Sequence, residues 1–300
     1  MPRGRSTICN DASLLLAPTL FERARAVGLR SALLTSKAKT VSLLGRGAAL
    51  TVAAERPEPE WVSALGPAPD IYSAAINHWL WRAALHVLRE RPDIDIIYCH
   101  TTDYAMHMWP PEDERSQAHL MGLDALIGRV CSEWPNVTFL VTADHGMNPK
   151  KRCYDLNRHM MERGCPIYFA MSAERDPYIK HHWAFGGTAY LWLNRPDDLG
   201  RVVEVLADTE GVEGTFERQD AARRFHLHPD RIGDLVVTGD FDTVFGPMET
   251  AYEELPGSYR NHGSSHELAV PLVACGPRVD LSIWDGCAHN FDLIRLLRLE

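Results

Sequence analysis

Asp103 and His107 are the first residues along the sequence whose types and spacing could hold a metal ion. They follow an apolar, β-branched run, Ile94 to Cys99, and are four residues apart. In a helical turn, side chains at this spacing face the same way, so a carboxylate and an imidazole would converge on one cation. That mixed pair of ligands is typical of zinc. By itself the spacing is more common in a solvated loop, so the interpretation needs a second cluster.

Asp144 and His145 form that second cluster. They follow another apolar run, Val137 to Thr142, and precede Gly146. Adjacent side chains of a strand point to opposite faces, so these two can share a metal only where the strand ends and the backbone turns. Gly146 would supply the backbone freedom for that turn. Two Asp–His clusters after two successive predicted strands favour a metal site over two unrelated loops.

A later histidine could complete the first pair. His262 lies just ahead of the apolar run Leu268 to Ala274 and could be the third ligand beside Asp103 and His107. His266 competes for the same role, and sequence position does not choose between them.

The elements that would position these clusters alternate between strands and helices. The pattern predicts strands at 30–35, 48–53, 94–99, 137–142, 188–193, 212–217 and 268–274, helices at 17–27, 70–91, 113–133 and 197–208, and a loop or linker at 55–69. Strand, helix and strand with continuous apolar strands are typical of a parallel sheet covered on both faces. Ligands of such sheets bind at the carboxyl ends of the strands. We therefore expect an α/β fold whose mostly parallel sheet carries helices on both faces and gathers both metal clusters at one edge.

The domain organisation is predicted from a change in pattern along the sequence. Residues 176–240 show an α+β pattern, which favours a small cap inserted into the core. The core would then comprise residues 1–175 and 241–300.

Composition narrows the functional classes. The 300 residues are 45% hydrophobic and carry a formal net charge of -9, with Lys and Arg scattered, so we expect no nucleic-acid surface. No apolar run approaches the roughly 20 residues of a membrane helix, and no signal peptide is evident. Seven cysteines without a C-x-x-C pair argue against a disulfide framework and favour a cytoplasmic protein.

Three motifs resemble the metal-ligand motifs of phosphodiesterase-like members of the alkaline-phosphatase superfamily. They are Thr101-Thr102-Asp103-Tyr104 with His107, Thr142-Ala143-Asp144-His145-Gly146-Met147, and Asn261-His262-Gly263 ahead of Val270-Pro271-Leu272. Further stretches resemble phosphonoacetate hydrolases in particular. These are Ala17-Pro18-Thr19, Thr35-Ser36-Lys37-Ala38-Lys39, Pro69-Asp70-Ile71-Tyr72-Ser73-Ala74-Ala75, Asp176-Pro177-Tyr178 with His181-His182, and Asp230-Arg231-Ile232-Gly233-Asp234-Leu235.

The resemblance implies an alkaline-phosphatase-like fold and two zinc ions that flank a phosphorus centre. Asp103, His107 and His262 would hold one ion, and Asp144 and His145 would contribute to the other. Paired metals of this kind activate a nucleophile and stabilise the leaving group.

The resemblance also assigns a substrate. Lys37 and Lys39 match lysines that hold the anionic ends of a small phosphonate, so the leading expectation is hydrolysis of phosphonoacetate to acetate and phosphate. Two alternatives stay open. One is a phosphodiesterase or nucleotide pyrophosphatase, and the other is a non-catalytic protein that binds a metal or an anion.

The nucleophilic threonine of the family and another metal aspartate lie upstream of the stretch matched by Ala17-Pro18-Thr19. Only Ser6, Thr7 and Asp11 are candidates there, and Asn10-Asp11 resembles a stretch that follows the nucleophile. We therefore expect a second metal site with two of its usual four protein groups, a missing first core strand, and negligible activity in the chain as given. A start site placed too far downstream, a degraded gene and a separate partner segment would each account for this.

Overall fold

The computed structural model describes residues 11–172 and 183–296, and the chain divides into two compact units. The first unit lies within Thr7–Val137 and the second within Thr138–Glu300. Across the described ranges, no helix combines the length and the apolar character that crossing a membrane requires.

The first unit is built on a three-stranded parallel sheet in the order β2-β1-β3. Its strands are β1 (Ser31–Thr35), β2 (Leu50–Ala53) and β3 (Ile96–His100). Its helices are α1 (Leu20–Ala26), α2 (Ala38–Leu44), α3 (Pro59–Leu65), α4 (Ala75–Glu90), α5 (Tyr104–Met108) and α6 (Glu114–Glu133). The predicted strands at 30–35, 48–53 and 94–99 are confirmed.

Helices cover both faces of this sheet. Ala32 and Leu34 of β1 belong to the same buried cluster as Trp79 of α4. Tyr98 of β3 points to the opposite face, because side chains alternate along a strand, and its ring meets Phe21 of α1 edge-on at 6.1 Å. The α/β fold with a parallel sheet covered on both faces is therefore confirmed for this unit.

One helix prediction and one loop prediction in the first unit need correction. The predicted helix at 70–91 begins only at Ala75, because the Asp70 carboxylate accepts a hydrogen bond from the Tyr72 amide at 2.8 Å and forms a turn. The predicted loop at 55–69 contains α3. Pro59 occupies the first turn of α3, where its missing N–H costs nothing, and the buried Trp61 anchors the helix to the core.

The second unit contains a four-stranded antiparallel sheet in the order β7-β8-β10-β9. The strands of the unit are β4 (Phe139–Thr142), β5 (Asn148–Pro149), β6 (Arg152–Tyr154), β7 (Phe169–Ser172), β8 (Thr188–Trp192), β9 (Val212–Glu217), β10 (Leu235–Gly239), β11 (Thr243–Phe245), β12 (Tyr252–Glu254), β13 (Arg260–Asn261) and β14 (Leu272–Cys275). The helices are α7 (Leu156–Glu162), α8 (Leu199–Ala207) and α9 (Arg218–Phe225). Leu235 and Val237 share a core with Leu206 of α8, while Val236 packs with Ala221 of α9, so this sheet is also covered on both faces.

The predicted strands and helix between 188 and 217 are present, but the cap boundaries of 176–240 remain a prediction. The predicted strand at 268–274 is β14, and it pairs with β4 in the antiparallel direction, with Leu272 opposite Thr142. A second short pairing joins β13 to β5, with Asn261 opposite Asn148. These pairings bring the two histidine-bearing segments of the second unit side by side.

A buried ion pair fixes the same two segments. The Lys150 ammonium is fully buried and donates to Glu267 at 2.8 Å and to the Phe241 carbonyl at 2.9 Å. The Glu267 carboxylate also accepts hydrogen bonds from the Asn148 side chain and from the amide and hydroxyl of Ser264. Burial acts to raise the pKa of Glu267, but Lys150 and Ser264 together outweigh it and hold this pKa below its ordinary value of 4.5.

Replacing Lys150 with Met should lower the free energy of unfolding by about 3–5 kcal/mol, because Glu267 would keep a buried charge without its partner. Chemical denaturation at neutral pH measures the loss. Lys151→Met is the matched control, since Lys151 is exposed and its pairing with Asp242 at the surface should contribute about 1 kcal/mol or less.

The pH dependence distinguishes loss of the ion pair from loss of packing. The depressed pKa of Glu267 means that the stabilisation is complete above about pH 4.5 and is lost as the pH falls through the lower, folded-state value. The difference between parent and Lys150→Met should therefore narrow in acid. A difference that stays constant down to about pH 3 would show that packing alone is responsible.

Candidate metal-binding site

Asp103 and His107 lie beyond the carboxyl end of β3 in the first unit. Asp103 directly precedes α5, and its carbonyl accepts hydrogen bonds from the amides of Met106 and His107. The helical turn sets the two side chains on one side, with Asp103 Oδ2 and His107 Nε2 2.9 Å apart. The His107 side chain is 1% exposed, whereas that of Asp103 is 36% exposed. The predicted convergence of Asp103 and His107 is thus present, with a partly exposed carboxylate beside a buried imidazole.

Asn77 fixes the backbone immediately before Asp103. Its side chain is buried in α4, where Oδ1 accepts from the Thr102 amide at 2.8 Å and Nδ2 donates to the Thr102 carbonyl at 2.7 Å. Sequence reasoning missed this residue. The available signal was a polar side chain on the apolar face of an amphipathic helix, between Ile76 and Trp79.

Lys37 and Lys39 follow the carboxyl end of β1, the strand next to β3. Lys37 precedes the first residue of α2 and Lys39 lies in its first turn, and both are partly exposed. The neighbouring strands run parallel with Thr35 opposite His100, and a 3.2 Å hydrogen bond joins Thr35 Oγ1 and His100 Nδ1. The two lysines and the Asp103–His107 pair therefore follow strand ends at one edge of a single sheet, which is where open parallel sheets bind ligands.

Asp144 and His145 follow β4 in the second unit. The Asp144 side chain is 75% exposed, and its Oδ1 accepts from the His145 amide and lies 3.6 Å from His145 Nε2. His145 Nδ1 lies 3.0 Å from the Gly146 carbonyl, which can only accept, so Nδ1 carries the proton. The lone pair of His145 is then on Nε2, the atom available to a metal.

Gly146 acts differently from the sequence-based expectation. Its φ does not lie in the left-handed region. Instead its amide donates to the Glu267 carbonyl at 2.7 Å, and a Cβ at this position would lie 3.3 Å from that oxygen. Gly146 permits a close approach of two backbones rather than an unusual turn.

His262 is buried at the end of β13. Its amide donates to Asn261 Oδ1 at 2.8 Å, and its carbonyl accepts from the Gly187 amide. Gly263, which follows it, has a φ of 103°, a conformation that glycine tolerates well. The structure stacks the rings of His145 and His262 with centroids 3.5 Å apart and planes at 12°.

The competing residue His266 has a different partner. His266 Nε2 lies 3.1 Å from the Glu213 carboxylate, which also accepts from the Ser265 hydroxyl. This contact supports His262 over His266 as the ligand.

The donor types in the two clusters decide which metal they could hold. Neutral imidazole is the form that binds zinc. The donors present, carboxylate oxygen and imidazole nitrogen, fit a zinc ion.

Some predicted residues lie outside the described part of the chain. These are the candidate hydroxyls Ser6 and Thr7, and the motif residues Asp176, Pro177, Tyr178, His181 and His182. Of the five predicted metal ligands, the structure brings Asp103 to His107, and His145 to both Asp144 and His262.

Comparison with solved structures shows a shared fold. Phosphonoacetate hydrolase from Sinorhizobium meliloti in complex with phosphonoformate matches with a TM-score of 0.84 and 29% identity, over 97% of this chain and 75% of that chain. The structure of the same enzyme with phosphonoacetate gives the same values. Murine ectonucleotide pyrophosphatase/phosphodiesterase 5 matches with a TM-score of 0.57 and 17% identity, over 86% of this chain and 63% of that chain, which shows a likeness of fold alone.

The family comparison covers most of the sequence. The profile of the type I phosphodiesterase / nucleotide pyrophosphatase family matches residues 9–265, a span that contains both Asp–His clusters and His262. With the alkaline-phosphatase-like α/β fold, this match places the chain among hydrolases of phosphoesters and phosphonates. The chain belongs to the type I phosphodiesterase / nucleotide pyrophosphatase family.

Proposed function

We propose that the chain is, by family, a zinc-dependent hydrolase of a small phosphonate, with phosphonoacetate as substrate and acetate and phosphate as products, and that these 300 residues alone have negligible activity. The observation that carries this proposal is the fold agreement, over 97% of the chain, with a phosphonoacetate hydrolase solved with phosphonoacetate. The resemblance of the lysine-bearing stretch around Lys37 and Lys39 supports the same substrate.

The first unit supports a compact, doubly anionic ligand. Lys37 and Lys39 are two residues apart after β1, and the Asp103–His107 pair follows the adjacent parallel strand β3. Two ammonium groups at this spacing suit a ligand with two anionic ends close together, because each end can take a charge-assisted hydrogen bond. A nucleotide diester would instead need a pocket for its base or alcohol. Competition between phosphonoformate and AMP for the zinc-loaded chain tests the choice, and tighter binding of AMP would favour the phosphodiesterase alternative.

We propose that Asp103, His107 and His262 hold one zinc ion and that Asp144 and His145 contribute to a second. The contact of His145 Nδ1 with the Gly146 carbonyl, which leaves the Nε2 lone pair to a metal, and the 2.9 Å approach of Asp103 to His107 support this assignment. When bound, zinc would polarise the phosphonate and neutralise charge that develops during attack. The residues of the chain would place the phosphonate for that attack, with Lys37 and Lys39 holding its anionic ends.

Replacing His262 with Ala should lower zinc affinity by more than the roughly 10–100-fold that loss of an outer-shell partner costs, because a direct ligand is removed. His266→Ala is the control and should leave zinc binding unchanged, since its imidazole pairs with Glu213. Competition with a chelator of known affinity measures both. A loss confined to His266→Ala would transfer the ligand role to His266.

Lys37→Ala and Lys39→Ala should each weaken binding of phosphonoformate to the zinc-loaded chain by roughly tenfold to a hundredfold. Each substitution removes a charge-assisted hydrogen bond that contributes about 1.5–3 kcal/mol. Calorimetric titration provides the measurement, with Lys151→Ala as a control for loss of one positive charge elsewhere. Unchanged affinity in both variants would exclude this role for the lysines.

The 300-residue chain, assayed as it stands with zinc, should release phosphate from phosphonoacetate far more slowly than the typical enzyme range of about 1–1000 per second. The physical reason is that attack on phosphorus in the resembled family uses an activated hydroxyl, and no described residue matches it. Turnover within that range would contradict the prediction. Thr7→Ala and Ser6→Ala would then be the first variants to test for loss of that activity.

A further inference from the structure

We propose that Asn77 and His119 are positioning residues for Asp103, acting from two helices of the first unit through the backbone of Thr102. This inference rests on the proposed function, because the proposed function gives Asp103 its role as a metal ligand.

The two hydrogen bonds between the Asn77 side chain and Thr102, here called the clamp, act where the sheet no longer holds the chain. β3 ends at His100, so Thr102 and Asp103 lie beyond its ladder of hydrogen bonds. One buried amide, that of Asn77, replaces the ladder by binding both the N–H and the C=O of Thr102. The two hydrogen bonds fix the peptide groups on both sides of Thr102, and Asp103 is the next residue.

His119 contacts the NH₂ group of the Asn77 amide. His119 is buried in α6, and its Nε2 lies 3.4 Å from Asn77 Nδ2. Nε2 can accept the second amide hydrogen only if the imidazole is neutral. Burial lowers the pKa of His119, and the nearby His78 lowers it further, so the neutral form is favoured at pH 7.

The other nitrogen of His119 contacts His78. His119 Nδ1 lies 3.1 Å from His78 Nε2, which also lies 3.2 Å from the His119 carbonyl, and the two rings stack with centroids 5.0 Å apart. A reversed Asn77 amide would direct its oxygen at the Thr102 carbonyl and its NH₂ at the Thr102 N–H. It would therefore lose both bonds to Thr102.

The clamp bears on the metal ligands because α5 starts from the same point. The amides of Met106 and His107 bond to the carbonyl of Asp103, so a shift of Asp103 moves the origin of the turn that carries His107. Ligand groups must be held within about 0.5 Å of their working geometry for tight binding. A buried amide is also expensive to place in an apolar core unless it is fully bonded. The positioning role explains why α4 carries Asn77 on its buried face.

The test compares Asn77→Ala and His119→Leu with Leu80→Ala, a control on the same helix that removes buried apolar contacts without touching Thr102. Amide hydrogen exchange is measured for Met106 and His107, and zinc affinity by competition with a chelator. In Asn77→Ala we expect these two amides to exchange about 10–100 times faster relative to the amides of α4, and zinc affinity to fall about 10–100-fold. His119→Leu should change both in the same direction, and Leu80→Ala should change all amides together and leave zinc affinity intact.

The two readouts separate this inference from the proposed function. Exchange of Met106 and His107 that shifts no more in Asn77→Ala and His119→Leu than in Leu80→Ala would overturn the positioning role. If the parent chain binds no zinc, the proposed function fails. The exchange comparison, which needs no metal, then still decides whether Asn77 and His119 hold Asp103 in place.

Discussion

The Glu267 carboxylate collects hydrogen bonds from Lys150, Asn148 and Ser264 at one buried point of the second unit. Each of these residues lies a few positions from a proposed ligand, so the carboxylate joins the segment after His145 to the segment after His262. The pairing of Asn148 with Asn261 and the bond from Gly146 to the Glu267 carbonyl then follow from the same alignment. The stacking of the two imidazoles depends on this junction, because short strands of two residues contribute little alignment by themselves.

In the first unit, neutral groups rather than a buried ion pair hold the segment next to a proposed ligand. Parallel pairing of β1 and β3 brings the two strand ends to one edge, but the ladder stops before Asp103 is reached. The Asn77 amide extends the support by one residue without adding a charge next to a carboxylate. A buried ion pair there would add its own field beside Asp103, whereas an amide fixes the backbone without adding a charge.

The sequence predicted the local elements because their signals are local. Helix α1 lies within the helix predicted at 17–27. The capping box of Thr19 with Glu22 marks its start, and Gly28 in the left-handed conformation follows its end. The apolar runs mark β1, β2 and β3. The Asp–His spacing also predicted the convergence of Asp103 with His107. The residues that hold the site together could not be predicted in this way. Lys150 and Glu267 are 117 positions apart, and a lone lysine and a lone glutamate look like surface residues until the chain is folded.

Under the proposed function, electrostatics links the binding of a phosphonate by Lys37 and Lys39 to the binding of a metal ion by Asp103. A phosphonate that approaches Lys37 and Lys39 also approaches the edge where Asp103 stands, and like charges a few ångströms apart interact by about 1 kcal/mol in water and about 4 kcal/mol near a protein surface. Without a metal, the carboxylate would therefore offset part of the attraction from the lysines. A zinc ion held by Asp103 and His107, as proposed, would reverse the sign of that contribution. Substrate binding and metal binding should then be coupled, because the carboxylate that repels the free anion would hold the cation that attracts it.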